Sequence, residues 1–301
     1  MDIIFSILIT TRDRINDLRV TLDQLSALLL DNQVECVVFD DGSVDGTSEF
    51  IKNNYPGIIL KRNETSKGYM FCRNQMLNQT QAVYAISLDD DAHFLSINPL
   101  EHIARHFNQN PRCGLIAFRI FWGLETPVLT DSNENSSRVK GFVGCGHAWR
   151  VSAWKKIPNY PEWFVFYGEE QFASFQLFKN NWEIDYLPSV LVHHRVDVKG
   201  RKHDSDYQRR TRMSLRSGWF LYFLFLPLSE VLKKMSYSFW WQMKTKVRKG
   251  DWKATKGILQ ALRDLVITIP KLITNRDKLS NRQYQEYSSL EETKIYWKPN
   301  D

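Results

Sequence analysis

Apolar, β-rich runs in the first half of this chain stop at carboxylates or hydroxyls and give way to helical patterns, and that order admits few folds. Residues 3–10 run apolar into Thr10-Thr11-Arg12-Asp13-Arg14, after which Leu18, Leu22, Leu25, Leu28 and Leu29 recur at helical spacing. Residues 34–40 form a second short apolar strand that stops at Asp40-Asp41-Gly42-Ser43, and residues 43–53 read as a helix. A third strand falls at 58–61, a helix at 74–81, and a fourth strand at 83–88 that ends in Asp89-Asp90-Asp91. A helix at 99–108 and a strand at 114–121 continue the alternation. Strand and helix in turn predict an α/β domain with a mostly parallel sheet flanked by helices.

In an open α/β sheet the crevice beyond the carboxyl ends of the strands is where ligands bind. Three adjacent carboxylates at one strand end repel each other, and a hard divalent cation such as Mg2+ or Mn2+ would relieve them and hold a diphosphate. A solvated turn or helix cap is the other reading of the triplet alone. At the second strand end, a carboxylate of Asp40 or Asp41 is suited to accept the imide N–H of a pyrimidine or a ribose hydroxyl; capping of the next helix by Asp41 or Ser43 is the alternative.

Further on, residues 124–139 are polar and read as a mobile loop, placed to close over a ligand. Gly168-Glu169-Glu170-Gln171 follows the aromatic stretch 163–167, so a glutamate there is partly desolvated and suited to act as a general base. Two glutamates in a first helical turn also have a purely structural use. A late strand, 184–194, ends in His193-His194, of which one is a candidate metal ligand. Cys145, between two glycines, has no assignable base to make it a nucleophile.

Charge divides the chain. From Arg195 onward there are 23 Lys and Arg against 11 Asp and Glu, a net of +12, whereas the first 194 residues carry −6. A basic region of about a hundred residues that also holds the aromatic run 219–228 and Trp240-Trp241 points to peripheral contact with a membrane, on its cytoplasmic face, and away from nucleic acid. Burial of 215–232 as a core helix is the competing reading. The basic stretch 199–216 reads as a connection, and the chain beyond about 217 as helical. The N-terminal apolar run lacks a preceding basic segment and reads as a strand rather than a signal peptide. Four widely spaced cysteines match neither a zinc pattern nor a disulfide framework, which suits a reducing cytosol.

Taken in order, Thr10-Thr11-Arg12, VVFDDGSVDGT at 37–47, Gly68 with Arg73-Asn74, SLDDD at 87–91, GFVGCGHAWR at 141–150, YGEEQF at 167–172 and YLPSVLVHHR at 186–195 resemble a family 2 glycosyltransferase of the GT-A fold over residues 3–200. The Gly-Glu-Glu-Gln and His-His-Arg elements are similar to a bacterial group that builds cell-surface polysaccharide or glycolipid. The resemblance implies a catalytic domain over 1–200 and a helical, basic and aromatic C-terminal region over 201–301. It implies a nucleotide diphosphate sugar donor met by Thr10, Arg12, Asp40, Asp41, Arg73, Asp89 and Asp90. Asp89 and Asp91 then match the outer residues of a DXD motif, and His194 completes a site for Mn2+ or Mg2+. Glu170, with Glu169 beside it, is the implied base, and a saccharide or lipid-linked molecule the acceptor. Phe172 and Gln176 stand where the family often has Asp and Arg, which leaves the choice between the two glutamates open. A nucleotidyltransferase would carry a glycine-rich loop after strand one, and TTRDRIND holds no glycine. A catalytically degenerate nucleotide-sugar-binding scaffold is the non-enzymatic alternative.

Overall fold

The computed structural model describes residues 2–197 and 205–299. Nine strands form one sheet: β1 (Phe5–Thr11), β2 (Val34–Asp40), β3 (Ile59–Arg62), β4 (Tyr84–Asp89), β5 (Ala92–Phe94), β6 (Cys113–Trp122), β7 (Ser137–Arg138), β8 (Gly146–Arg150) and β9 (Glu183–His194). Their spatial order is β3-β2-β1-β4-β8-β6-β9-β5, with β7 added to β9. The pairs among β3, β2, β1 and β4 are parallel, as the alternation predicts. Beyond β4 the sheet turns mixed, because the short β8 runs antiparallel to both β4 and β6. The α/β expectation holds, with more antiparallel pairing than the alternation alone suggests.

β1 and β4 are near-continuous apolar runs because both their faces are covered. One face meets α1 (Ile15–Leu25), whose Leu18, Leu22 and Leu25 are fully buried, and α4 (Pro99–Gln109), which contributes Ile103 and Phe107. The α2 helix (Thr47–Asn54) starts four residues later than its composition suggests, since Gly42 and Gly46 take φ of +80° and +86° and keep that turn out of the helix. The remaining helices are α3 (Tyr69–Gln79), α5 (Val151–Trp154), α6 (Glu169–Lys179), α7 (Tyr207–Phe225), α8 (Leu228–Thr245), α9 (Trp252–Thr274) and α10 (Asn281–Ser289).

The chain divides into two compact units. The first comprises residues 1–162, 176–197 and 290–301 and holds the sheet; the second comprises 163–175 and 198–289 and is helical. After the helical unit the chain returns to the first one as an extended segment. Lys140 N–H donates to the Glu291 carbonyl at 2.8 Å, and Trp297 N–H donates to the Ile120 carbonyl at 2.6 Å, along the part of β6 that β8 leaves unpaired.

In the helical unit, Trp219, Phe220, Leu221, Leu224, Phe225 and Leu226 are all buried. The aromatic run at 219–228 is therefore core over most of its length, and any surface contact of this unit lies elsewhere. The basic stretch expected as a connection is, from Tyr207 onward, the first half of α7; residues 198–204 lie outside the described residues.

Candidate active site

Two acidic strand ends lie at the carboxyl edge of the parallel strands, and they are built differently. At the end of β2, Asp40 is fully buried and accepts hydrogen bonds from the Ser43 N–H at 2.8 Å and the Ser48 hydroxyl at 2.5 Å. Asp41 accepts four: from Asn63 Nδ2 at 2.7 Å, Ser66 Oγ at 2.6 Å, Lys67 N at 2.8 Å and Gly68 N at 2.9 Å. Burial works to raise the Asp41 pKa, but these four donors outweigh it and hold the carboxyl below its ordinary value. Asp41 thus ties the 63–68 loop to the strand end. Gly42 allows the close fit, since a Cβ there would lie 3.1 Å from the Ser66 nitrogen.

The end of β4 is answered by cations. Asp89 receives Arg73 Nη2 at 2.5 Å, and Asp91 receives Arg14 Nη2 at 2.6 Å and lies 3.0 Å from His194 Nε2. Asp90 is buried the other way, bonded by the Thr11 hydroxyl at 2.8 Å and reached by Arg14 Nη1 at 3.2 Å. Burial pushes Asp90 up to about 7, against the pull of Arg14. Burial would raise Asp91 too, yet His194 and Arg14 hold it at about 2. On His194, burial opposes the charged form, but the Cys145 sulfur, Asp91 and Asp89 prevail and raise its pKa.

The ligand atoms of Asp89, Asp91 and His194 all lie within 4.8 Å of one another. Two carboxylate oxygens and an imidazole nitrogen at that spacing fit a divalent cation, which would take over the compensation that Arg14 and the His194 proton supply.

Around this cluster β6 and the returning chain supply an aromatic border. The Trp122 ring lies 6.1 Å from that of His194 and stacks on Tyr296 at 5.6 Å. Arg195 fixes the neighbouring helix, donating to the Asp17 carbonyl at 2.9 Å and to the Thr21 hydroxyl at 2.8 Å. His193 points away from the cluster, with its Nε2 2.8 Å from the Gly123 carbonyl.

Of the residues singled out from sequence, Asp89, Asp91, Arg73 and His194 come together, with Asp90 behind them. Thr10 sits opposite Asp89 in the β1–β4 register, and its hydroxyl has no partner among the described residues. Arg12 is largely exposed and pairs with its neighbour Asp13. The arginine of this loop that meets the carboxylates is Arg14, two residues on. Asp13 takes φ of 53°, which turns the chain there, and the Asp13 carboxylate accepts from Val44 N at 2.8 Å, fastening this loop to the one after β2. A cation three residues past a strand end and opening a helix was the signal available for Arg14. Nothing local in the sequence marks Trp122 or Tyr296. The 124–139 loop closes sooner than its composition suggests, since Ser137–Arg138 pairs with β9 and Val139 is buried.

Glu169 and Glu170 open α6. Glu169 is buried and Glu170 half-buried, at the end of a turn in which Val165, Tyr167 and Gly168 all have positive φ. Within the helical unit this turn is held by Arg216, which donates to the Phe164 carbonyl, and by Ser217 Oγ, which donates to the Phe166 carbonyl at 2.9 Å.

Parallel strands that end in carboxylates, followed by a mixed half-sheet, define the GT-A glycosyltransferase fold, and solved structures agree. GalNAc-T7, solved with UDP, GalNAc and Mn2+, matches with a TM-score of 0.57 at 15% identity, over 74% of this chain and 48% of its own. S. aureus TarS 1-349 in complex with UDP matches with a TM-score of 0.56 at 16% identity, over 91% and 83%. The mannosyltransferase PcManGT from Pyrobaculum calidifontis, with GDP-Man and Mn2+, gives 0.56 at 12% identity, over 96% and 79%. The chain spans about half the length of GalNAc-T7 and less than half of the longer TarS structure, 44%. A search of curated proteins gives no match. The model of glycosyl transferase family 2 matches residues 6–176, and the chain belongs to that family.

Proposed function

We propose that this protein transfers a sugar from a nucleotide diphosphate sugar to an acceptor hydroxyl, with inversion at the anomeric carbon. The observation that carries this reading is the Asp89, Asp91 and His194 cluster, flanked by Arg14 and Arg73, at the strand ends of a family 2 chain. Mn2+ or Mg2+ held by those three residues would offset charge on the leaving diphosphate, and the imidazole in the set tilts preference toward Mn2+. Arg73 is placed to shift from Asp89 to a donor phosphate. Thr10, Arg12 and the loop that Asp41 secures would face the nucleotide, while Asp40 and Asp90 brace the two strand ends from within.

Glu170, the more open of the two glutamates, takes the acceptor proton as the acceptor oxygen bonds to the anomeric carbon and the bond to the diphosphate breaks. Buried Glu169 supports the turn. The acceptor is a saccharide or lipid-linked molecule, in assembly of cell-surface polysaccharide or glycolipid at the cytoplasmic face of the membrane. Donors in the similar structures, UDP-GlcNAc with TarS and GDP-Man with PcManGT, agree with the donor class.

The test is donor hydrolysis across UDP-, dTDP- and GDP-sugars with Mn2+, Mg2+ or EDTA. Cation-dependent release of nucleotide from one donor is expected. Binding of nucleotide sugars without turnover, with or without acceptor, would favour the non-catalytic scaffold. Glu170→Gln should cut transfer by roughly 100-fold or more; near-normal turnover would remove Glu170 as the base.

A further inference from the structure

Among the described residues, nothing packs against one apolar face of the helical unit. α9 packs on α7 through Ala254, Gly257, Ile258, Ala261 and Leu265. Gly257 permits the close approach, because a Cβ there would stand 2.9 Å from the Gln208 carbonyl oxygen. On the other side of the same helix Trp252, Leu259, Val266 and Ile273 follow one another at seven-residue intervals, with 80%, 62%, 66% and 69% of their surface exposed. Over 21 residues this line runs roughly 30 Å along the helix. A helix that is apolar on both its buried and its open side has a partner outside its own core.

The charges on α9 select that partner. Lys253, Lys256, Arg263 and Lys271 are exposed, and the helix has a single acidic residue, Asp264. Asp264 is turned to α7, where Arg212 holds both its oxygens, at 2.6 and 2.7 Å. The open side of α9 therefore carries positive charge only. A seam between two copies of the chain calls for charges of both signs beside the apolar line, whereas here two copies would oppose like charges. An anionic bilayer supplies the complement: acyl chains for the line, head groups for the lysines and arginine, and an interfacial place for Trp252. α8 repeats the pattern, with Leu228, Leu232, Phe239 and Met243 exposed near Lys233, Lys234 and Lys244. Among the described residues no helix is long and apolar enough to cross a membrane.

We propose that the Trp252–Leu259–Val266–Ile273 face of α9 lies in the plane of an anionic lipid surface, with Lys253, Lys256 and Arg263 on the head groups. The proposal stands apart from sugar transfer, since lipid binding needs neither donor nor cation. It is tested by sedimenting the full chain with phosphatidylcholine vesicles, with and without about one third phosphatidylglycerol, at physiological salt. The wild-type chain should bind the anionic vesicles at least tenfold more tightly than the neutral ones. Leu259→Glu with Val266→Glu should lower that affinity by tenfold or more, and each of Lys253→Gln, Lys256→Gln and Arg263→Gln by roughly fivefold. These positions are exposed, so circular dichroism and donor hydrolysis should stay at wild-type levels and separate lost docking from lost folding. Failure to bind anionic vesicles, or equal binding by the glutamate variant, overturns the proposal. A wild-type dimer in sedimentation velocity that the glutamate variant makes monomeric would assign the face to a second copy instead.

Discussion

The ends of β2 and β4 carry similar acidic clusters, yet their carboxylates are treated in opposite ways. Asp40 and Asp41 are met mainly by backbone N–H groups, hydroxyls and an amide, which stay with the fold, and Arg62 stands 3.4 Å from Asp40 as a weaker cation contact on that side. Asp89 and Asp91 are met by the tips of Arg14, Arg73 and His194, charges that a cation or a phosphate can displace. The difference separates acid that builds a loop from acid that is held ready for a ligand. Removing fixed donors costs stability, whereas removing displaceable ones costs function.

The sharpest way to break this comparison is to exchange the two kinds of acid. Asp91→Asn should lower cation-dependent donor hydrolysis by roughly 100-fold or more, beyond whatever stability goes with its Arg14 and His194 pairs. Unchanged hydrolysis would remove Asp91 from the site. Asp41→Ala should act first on stability, costing about 2–3 kcal/mol in urea unfolding because donors in the 63–68 loop lose their acceptor. A fully stable Asp41→Ala protein would show that water replaces the carboxylate at no loss.

The same aspartate carries a pH signature. Its folded pKa lies below the ordinary value, so its contribution is present above the usual carboxylate range and disappears as pH falls through the folded value. The stability gap between wild type and Asp41→Asn should therefore be constant near neutrality and shrink below about pH 4, as read from urea midpoints across that range. A gap that widens in acid would contradict the assignment. The smallest effect is expected at Arg14. Arg14→Gln removes a competitor for Asp91 and should tighten Mn2+ binding by roughly fivefold, measured by calorimetry. Weaker binding would make Arg14 a supporter of the site instead of a placeholder.

Much of this was legible in the sequence because it is local. The runs that became β1, β2 and β4 and the carboxylates at their ends follow from apolar pattern alone. What the sequence concealed depends on distance. Arg12 and Arg14 look alike in the string, and only the turn at Asp13 decides which one reaches Asp91. The direction of β8 is not legible, because five residues do not reveal which way they pair. The aromatic density at 219–228 suggests a surface run, but the segment is mostly core. The exposed line on α9 is carried by four residues spaced too widely to stand out as a run. Tyr296 meets Trp122 across more than 170 positions, beyond any local pattern.

The return of residues 290–299 to the edge of β6 has a consequence for how the molecule is made. The strand that carries Ile120 and Trp122 is synthesised early, but its last edge partner follows the whole helical unit. During synthesis that edge stays open, a row of unpaired backbone groups available to other strands. The cover over Ile120 thus waits on the helices, and a chain cut after α10 would leave that stretch of edge bare beside the aromatic border of the cluster.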